Sequence, residues 1–162
     1  MNIVVMNRET VQFKIDIKHI IVSMSDDKIF YPPIPEDNCL GILRLEVFDW
    51  DGSHLNSLFC DGVPVPENKV YNTSHAIQVL NFINEHVNDT EIIVCQCDAG
   101  ISRSSATAAA LSLILNGTDA LFFRPPYYPN RKIYRTVLNE YVANKEKYGN
   151  ISAITKWKGG GN

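Results

Sequence analysis

Glu91-Ile92-Ile93-Val94-Cys95-Gln96-Cys97-Asp98-Ala99-Gly100-Ile101-Ser102-Arg103-Ser104 and the run Ser105 to Leu115 that follows form the stretch on which the fold turns. Glu91 to Cys95 has the Ile-Ile-Val character of a strand buried on both faces of a parallel sheet. Arg103 to Leu115 is rich in Ala, predicts a helix, and meets a good C-terminal stop at Asn116-Gly117. A loop between such a strand and such a helix is where α/β proteins bind ligands, because the helix N-terminus presents unpaired N–H groups and the positive end of its dipole.

Outward from this junction the pattern alternates in the same way. Asn2 to Met6 and His19 to Met24 are apolar, β-branched runs that predict strands, with a short helical turn between them around Thr10 to Phe13. Phe30-Tyr31-Pro32-Pro33-Ile34-Pro35 cannot be regular structure. Gly41 to Val47 predicts a third strand, leading into the loop Phe48-Asp49-Trp50-Asp51-Gly52. Residues 53–71 are punctuated by Pro and Gly and predict a loop or a short excursion. A helix capped by Asn72 or Thr73 should run to about Val87, with Ala76, Leu80, Ile83 and Val87 on its core face. A last helix opens after Pro129-Asn130 and extends to about Tyr148, carrying Ile133, Val137 and Tyr141 inward, with Val142 as a further candidate. The fold class expected is α/β, with a mostly parallel central sheet flanked by helices in a single domain. That domain should span 1–150, and 151–162 should be a C-terminal extension frayed at Gly159-Gly160-Gly161.

Composition narrows the function. The 162 residues suit one domain, and 45% apolar with 20% charged residues can build a core. A net charge of -3 disfavours binding of nucleic acid through charge alone, although Arg124, Arg131, Lys132 and Arg135 form a local basic group. No secretory leader is expected from the short run Ile3 to Met6, and Ala106 to Leu115 is about half of what a bilayer requires. Cys39, Cys60, Cys95 and Cys97 are too few and too unevenly spaced for a disulfide framework, so reduced thiols and a cytoplasmic setting are expected. One C-x-C pair beside two isolated cysteines does not make a zinc site, and His19, His54, His75 and His86 have no ligand spacing. No metal and no cofactor are expected.

The chemistry lies in the loop. The backbone N–H groups of Asp98, Ala99, Gly100, Ile101, Ser102 and Arg103 can converge on one anion, with Gly100 permitting the tight turn. Arg103 closes the ring and can grip two oxygens of a tetrahedral dianion. A cysteine at the centre of such dipoles loses its proton readily, since cysteines in these settings fall to roughly pKa 3.5–7.5. A thiolate under a bound phosphate points to phosphoryl transfer onto sulfur followed by hydrolysis. Ser104 can donate a hydrogen bond to that sulfur, or be an ordinary first-turn helix serine. Cys95, two residues upstream, should point to the same side as Cys97, and either Cys95 or Cys60 could pair with Cys97 under oxidation.

This segment resembles the Cys-x5-Arg phosphate loop of the protein tyrosine phosphatase superfamily, and in particular the small dual-specificity type, in which Ser or Thr follows the Arg. Arg124, Pro129-Asn130, Ile133 and Val137 similarly resemble the R-x4-P-N segment that opens the last helix in that group. The resemblance implies a cysteine-dependent phosphatase acting on phosphotyrosine, phosphoserine or phosphothreonine, with a phosphorylated protein or small phosphomonoester as its partner. It implies a supporting role for Asn130 in holding the phosphate loop. Gln96 stands where the group usually has a His that orients the loop. Ile133 and Thr136 replace the Phe and Gln of the last-helix pattern. Lipid, RNA 5′-end and nucleotide phosphatases share the same loop, and a phosphate-binding module without turnover is the alternative that Gln96 motivates.

A leaving alkoxide or phenoxide needs a proton donor, which should be a carboxylic acid on a nearby loop. Asp49 is the leading candidate, because Leu43-Arg44-Leu45 through Asp51 looks like the strand and acid loop of small bacterial phosphatase-like proteins. Asp51 and Asp61 are the other candidates. Asp98 should point outward, toward substrate backbone or a cation. Tyr127, Tyr128 and Trp50 are candidates to line the pocket.

Overall fold

The computed structural model describes residues 1–52, 59–60 and 63–152. Four strands, β1 (Asn2–Met6), β2 (His19–Ser25), β3 (Cys39–Glu46) and β6 (Ile92–Gln96), form one sheet in the order β1-β6-β2-β3, and every pairing in it is parallel. Two short strands, β4 (Phe59–Cys60) and β5 (Val63–Pro64), pair antiparallel in the stretch read as a loop or excursion. The helices are α1 (Thr73–His86), α2 (Arg103–Asn116) and α3 (Arg131–Ala143).

Strand alternation sorts the core into two layers. Ile20, Val22 and Met24 of β2 and Ile93 and Cys95 of β6 face the helices, where they pack with Val79, Leu80 and Ile83 of α1, Leu111 and Leu115 of α2, and Ile133 and Val137 of α3. Ile21 and Val94 face the other way, against Val11 of the 3-10 turn Thr10–Gln12 and the flanking Ile15 and Ile34. Helix α2 is buried almost all round, and its run of Ala and Ser lets backbones approach closely. Asn72 caps α1 by accepting from Ser74 N, and α2 ends at Gly117 in the left-handed region, as the sequence implies.

Three details depart from the sequence reading. Helix α3 ends at Ala143 rather than Tyr148. Asn144 leaves helical geometry, its amide donates to Glu140 Oε1 at 3.0 Å, and Tyr148 donates to the same oxygen at 2.8 Å from beyond a 3-10 turn at Lys145–Lys147. Burial and the Glu140 carboxylate push the Tyr148 hydroxyl up to about 12. Val142 is 69% exposed, because Val137 and Tyr141 already hold the inner face. The packed chain also runs past 150. Ile151 is fully buried, and Asn84 Oδ1 accepts from the backbone N–H groups of Asn150 and Ile151. Among the described residues, no helix is long and apolar enough to cross a membrane.

Candidate active site

All the parallel strands point their C-terminal ends to one edge of the sheet, and the residues that follow them meet there. Arg8 follows β1, Asp26 follows β2, Val47 and Asp49 follow β3, and Cys97 follows β6. Cys97 is 2% exposed, and its Sγ lies 3.0 Å from Ser104 Oγ. The expected contact between sulfur and serine is therefore present.

The loop that wraps Cys97 is held by its carbonyls. Asp98 O accepts from Arg8 N, Ile101 O from Tyr128 N, and Ser102 O from Asn130 N and Ala106 N. In a trans peptide the carbonyl and the next N–H point in opposite directions. Bonding these carbonyls to the surrounding structure therefore turns the N–H groups of Ala99, Ser102 and Arg103 inward. Gly100 makes the turn at φ +70°, and a Cβ there would lie 3.0 Å from Asn7 N and 3.2 Å from Met6 C. Neither backbone atom can move aside, so Gly100→Ala combines left-handed strain with a clash. We expect it to lower the unfolding free energy by about 2–4 kcal/mol, as read from the denaturant midpoint.

Arg103 is 5% exposed. Its Nη1 donates to Val47 O at 2.8 Å and to Asp26 Oδ1, and its Nη2 donates to Asp98 Oδ2 at 2.7 Å. Nε is buried with no partner among the described residues. A guanidinium has five N–H groups, so Nε–H and the second N–H of Nη2 remain for two oxygens of a ligand. Burial opposes the charge on Arg103, but Asp26, Cys97 and Asp98 outweigh it and raise its pKa above the ordinary value. Asp98 corrects the sequence reading: its partners are the chain's own Arg103 and Arg8.

Asp49 is brought to the rim of the loop. Its Oδ1 accepts from Ser102 Oγ at 2.7 Å and from Asn130 Nδ2 at 2.8 Å. Ser102 is free to do this because its side chain does not cap α2. Asn130 suits its position because an amide both accepts and donates. Its Oδ1 caps α3 through Ile133 N at 3.1 Å, while its Nδ2 holds Asp49. Beside this contact opens a cleft of about 490 Å³ whose lining includes Asp49, Asp51, Ser102, Phe123, Tyr127 and Arg131. Tyr128 also borders this cleft, whereas Trp50 sits beneath Lys132 Nζ, 5.3 Å from its ring. Asp61 lies outside the described residues, as does the side chain of Cys60.

Gln96 is buried, and its Oε1 accepts from Ser23 Oγ of β2 at 2.6 Å, so the amide is tied to the sheet rather than to the loop. Cys95 is fully buried, and burial followed by the nearby Cys97 pushes its thiol up, which disfavours the thiolate needed for exchange. Among the described residues, no group of His, Cys, Asp and Glu is placed to hold a metal ion. Two residues of the site, Arg8 and Asp26, escaped the sequence reading. The available signal was their position just after strands of a parallel sheet.

The single parallel sheet, with the Cys97 loop between its β6 strand and the α2 helix, has the α/β fold of the dual-specificity phosphatases. Human DUSP28 matches over 90% of this chain and 94% of its own, at 16% identity and a TM-score of 0.57. PTPMT1 matches over 91% and 94% at 12% identity and a TM-score of 0.55, and DUSP15 over 85% and 78% at 20% identity and a TM-score of 0.51. No protein-family model and no curated protein sequence matches the chain.

Proposed function

We propose that this chain is a metal-independent phosphatase that hydrolyses phosphate monoesters through a phosphocysteine. The observation that carries the reading is Arg103. Its guanidinium is fixed on one side by Asp26, Val47 and Asp98, with Nε–H and one Nη2–H unengaged beside the inward N–H groups of the loop and the Cys97 sulfur. Cys97 attacks phosphorus and the ester oxygen leaves with a proton from Asp49. Water activated by Asp49 then cleaves the phosphorus–sulfur bond, and Ser104 stabilises the departing thiolate.

The cleft beside Asp49 receives the leaving group. Its Phe123, Tyr127 and Tyr128 suit an aryl or peptide group, which favours phosphotyrosine, phosphoserine and phosphothreonine in a protein. The similar structure of PTPMT1 was determined with PI(5)P, so a lipid headgroup is the competing substrate class.

The test is phosphate release from an aryl phosphate across roughly pH 5 to 8 with EDTA present, followed by acid quench and mapping of the phosphorylated peptide. Turnover insensitive to EDTA, with phosphate on the peptide carrying Cys97, is the expected result. Binding of phosphate without turnover would replace the enzyme reading with that of a phosphate-binding module.

A further inference from the structure

Arg8 has no part in the scheme above, yet it is built against the phosphate loop. Asn7 opens a tight turn in which its Oδ1 accepts from Glu9 N at 3.0 Å and Thr10 N at 2.8 Å, and Val11 anchors that turn in the core. The turn fixes Arg8 between two partners. Its guanidinium lies 5.3 Å from the centre of the Phe30 ring, and its Nη2 donates to Asp98 Oδ1. Its backbone N–H also donates to Asp98 O at 3.1 Å.

Asp98 is thus shared, with Oδ1 held by Arg8 and Oδ2 by Arg103. Asp26 is a second carboxylate on the same Arg103 guanidinium. Without Arg8, two carboxylates would face the single cation that must grip a phosphate dianion. Repulsion between unit charges a few ångströms apart in a half-buried site is large on the scale of binding.

Resting on the reading that the Cys97 loop binds phosphate, we propose that Arg8 is a positioning residue that neutralises Asp98 and so leaves the Arg103 charge available to the substrate phosphate. Arg8 acts through Asp98 and does not touch the reacting atoms.

The experiment is calorimetric titration of the full chain with inorganic phosphate, comparing the unmodified protein with Arg8→Gln, Arg8→Lys, Asp98→Asn and the double variant Arg8→Gln/Asp98→Asn. Arg8→Gln should weaken phosphate binding about tenfold, and Arg8→Lys should recover part of the loss. Asp98→Asn serves as the background in which the Arg8 substitution is repeated, because Asp98 itself holds Arg103. The decisive result is the double variant. With the carboxylate gone, Arg8→Gln should cost little relative to Asp98→Asn, whereas an Arg8 that merely braces the loop loses the same factor in both backgrounds.

Arg8→Gln binding like the unmodified protein, or an equal loss from Arg8→Gln with and without the Asp98 carboxylate, overturns the proposal. If Arg8→Gln does not fold, Arg8→Lys is measured with and without the Asp98 carboxylate, and a loss of equal size in both overturns the proposal. An unmodified protein that does not bind phosphate overturns instead the phosphate-site reading on which the proposal rests.

Discussion

Replacing Cys97 with Ser should abolish phosphate release while leaving phosphate binding intact. The substitution exchanges the atom that attacks phosphorus for a hydroxyl that stays protonated. Asp49 is positioned at the rim rather than against the Cys97 position, where the side chain's neighbour is Ser104 at 3.0 Å. No group in the described site is therefore placed to activate a serine there. Removing an essential nucleophile from an arrangement that acts as a unit costs about 10⁴-fold or more in kcat. The binding groups lie elsewhere. The loop is held by its carbonyls and by Gly100 against Met6 and Asn7, and Arg103 by Asp26, Val47 and Asp98, so none of these supports involves the sulfur. Phosphate affinity should stay within about threefold, since the loop N–H groups and Arg103 remain. Single-turnover phosphate release and calorimetry on the same preparation check both halves. Residual turnover above a tenth of the unmodified rate would place the nucleophile elsewhere.

How much of this was legible in the chain depends on how local each feature is. The run from Glu91 to Leu115 carries its strand, turn and helix within one window, so the junction around Cys97 could be read directly, as could the cap at Asn72 and the stop at Gly117. Asp49 was singled out from the likeness of Leu43 to Asp51 to an acid loop, and the structure sets it against Ser102 and Asn130 at the rim of the Cys97 loop. Arg8 and Asp26 were not, because they join the site only through the register that places β1 and β2 on either side of β6. Asp98 was misread in part for the same reason: it is shared between Arg103 of its own loop and Arg8, distant in sequence and adjacent across the sheet. The end of α3 depended on Tyr148 returning to Glu140, a contact that helical periodicity does not encode.

Asp49→Asn should slow phosphate release in proportion to how badly the leaving group needs a proton. In the structure Ser102 Oγ and Asn130 Nδ2 both donate to Oδ1 of Asp49, whose carboxyl group lines the cleft. An asparagine can accept the same two hydrogen bonds through its amide oxygen, so the loop geometry survives while the transferable proton is lost. Loss of a positioned acid typically costs about 10²–10⁴-fold, and here the full penalty should fall on alkyl phosphates and unactivated aryl phosphates. A substrate whose leaving group is stable as an anion, such as p-nitrophenol, should lose far less, because its expulsion needs little help. The ratio between the two substrate classes is therefore the measurement, made as kcat for a series of aryl phosphates with the unmodified protein and the variant. A steep dependence on leaving-group basicity appearing only in Asp49→Asn identifies Asp49 as the acid. An equal loss on every substrate would instead make Asp49 a brace for Ser102 and Asn130, and would return the role of acid to Asp51 or Asp61. Ser102→Ala sharpens the distinction. It removes the Ser102 bond to Asp49 without removing the carboxyl group, so its loss should follow the same leaving-group order with a smaller amplitude.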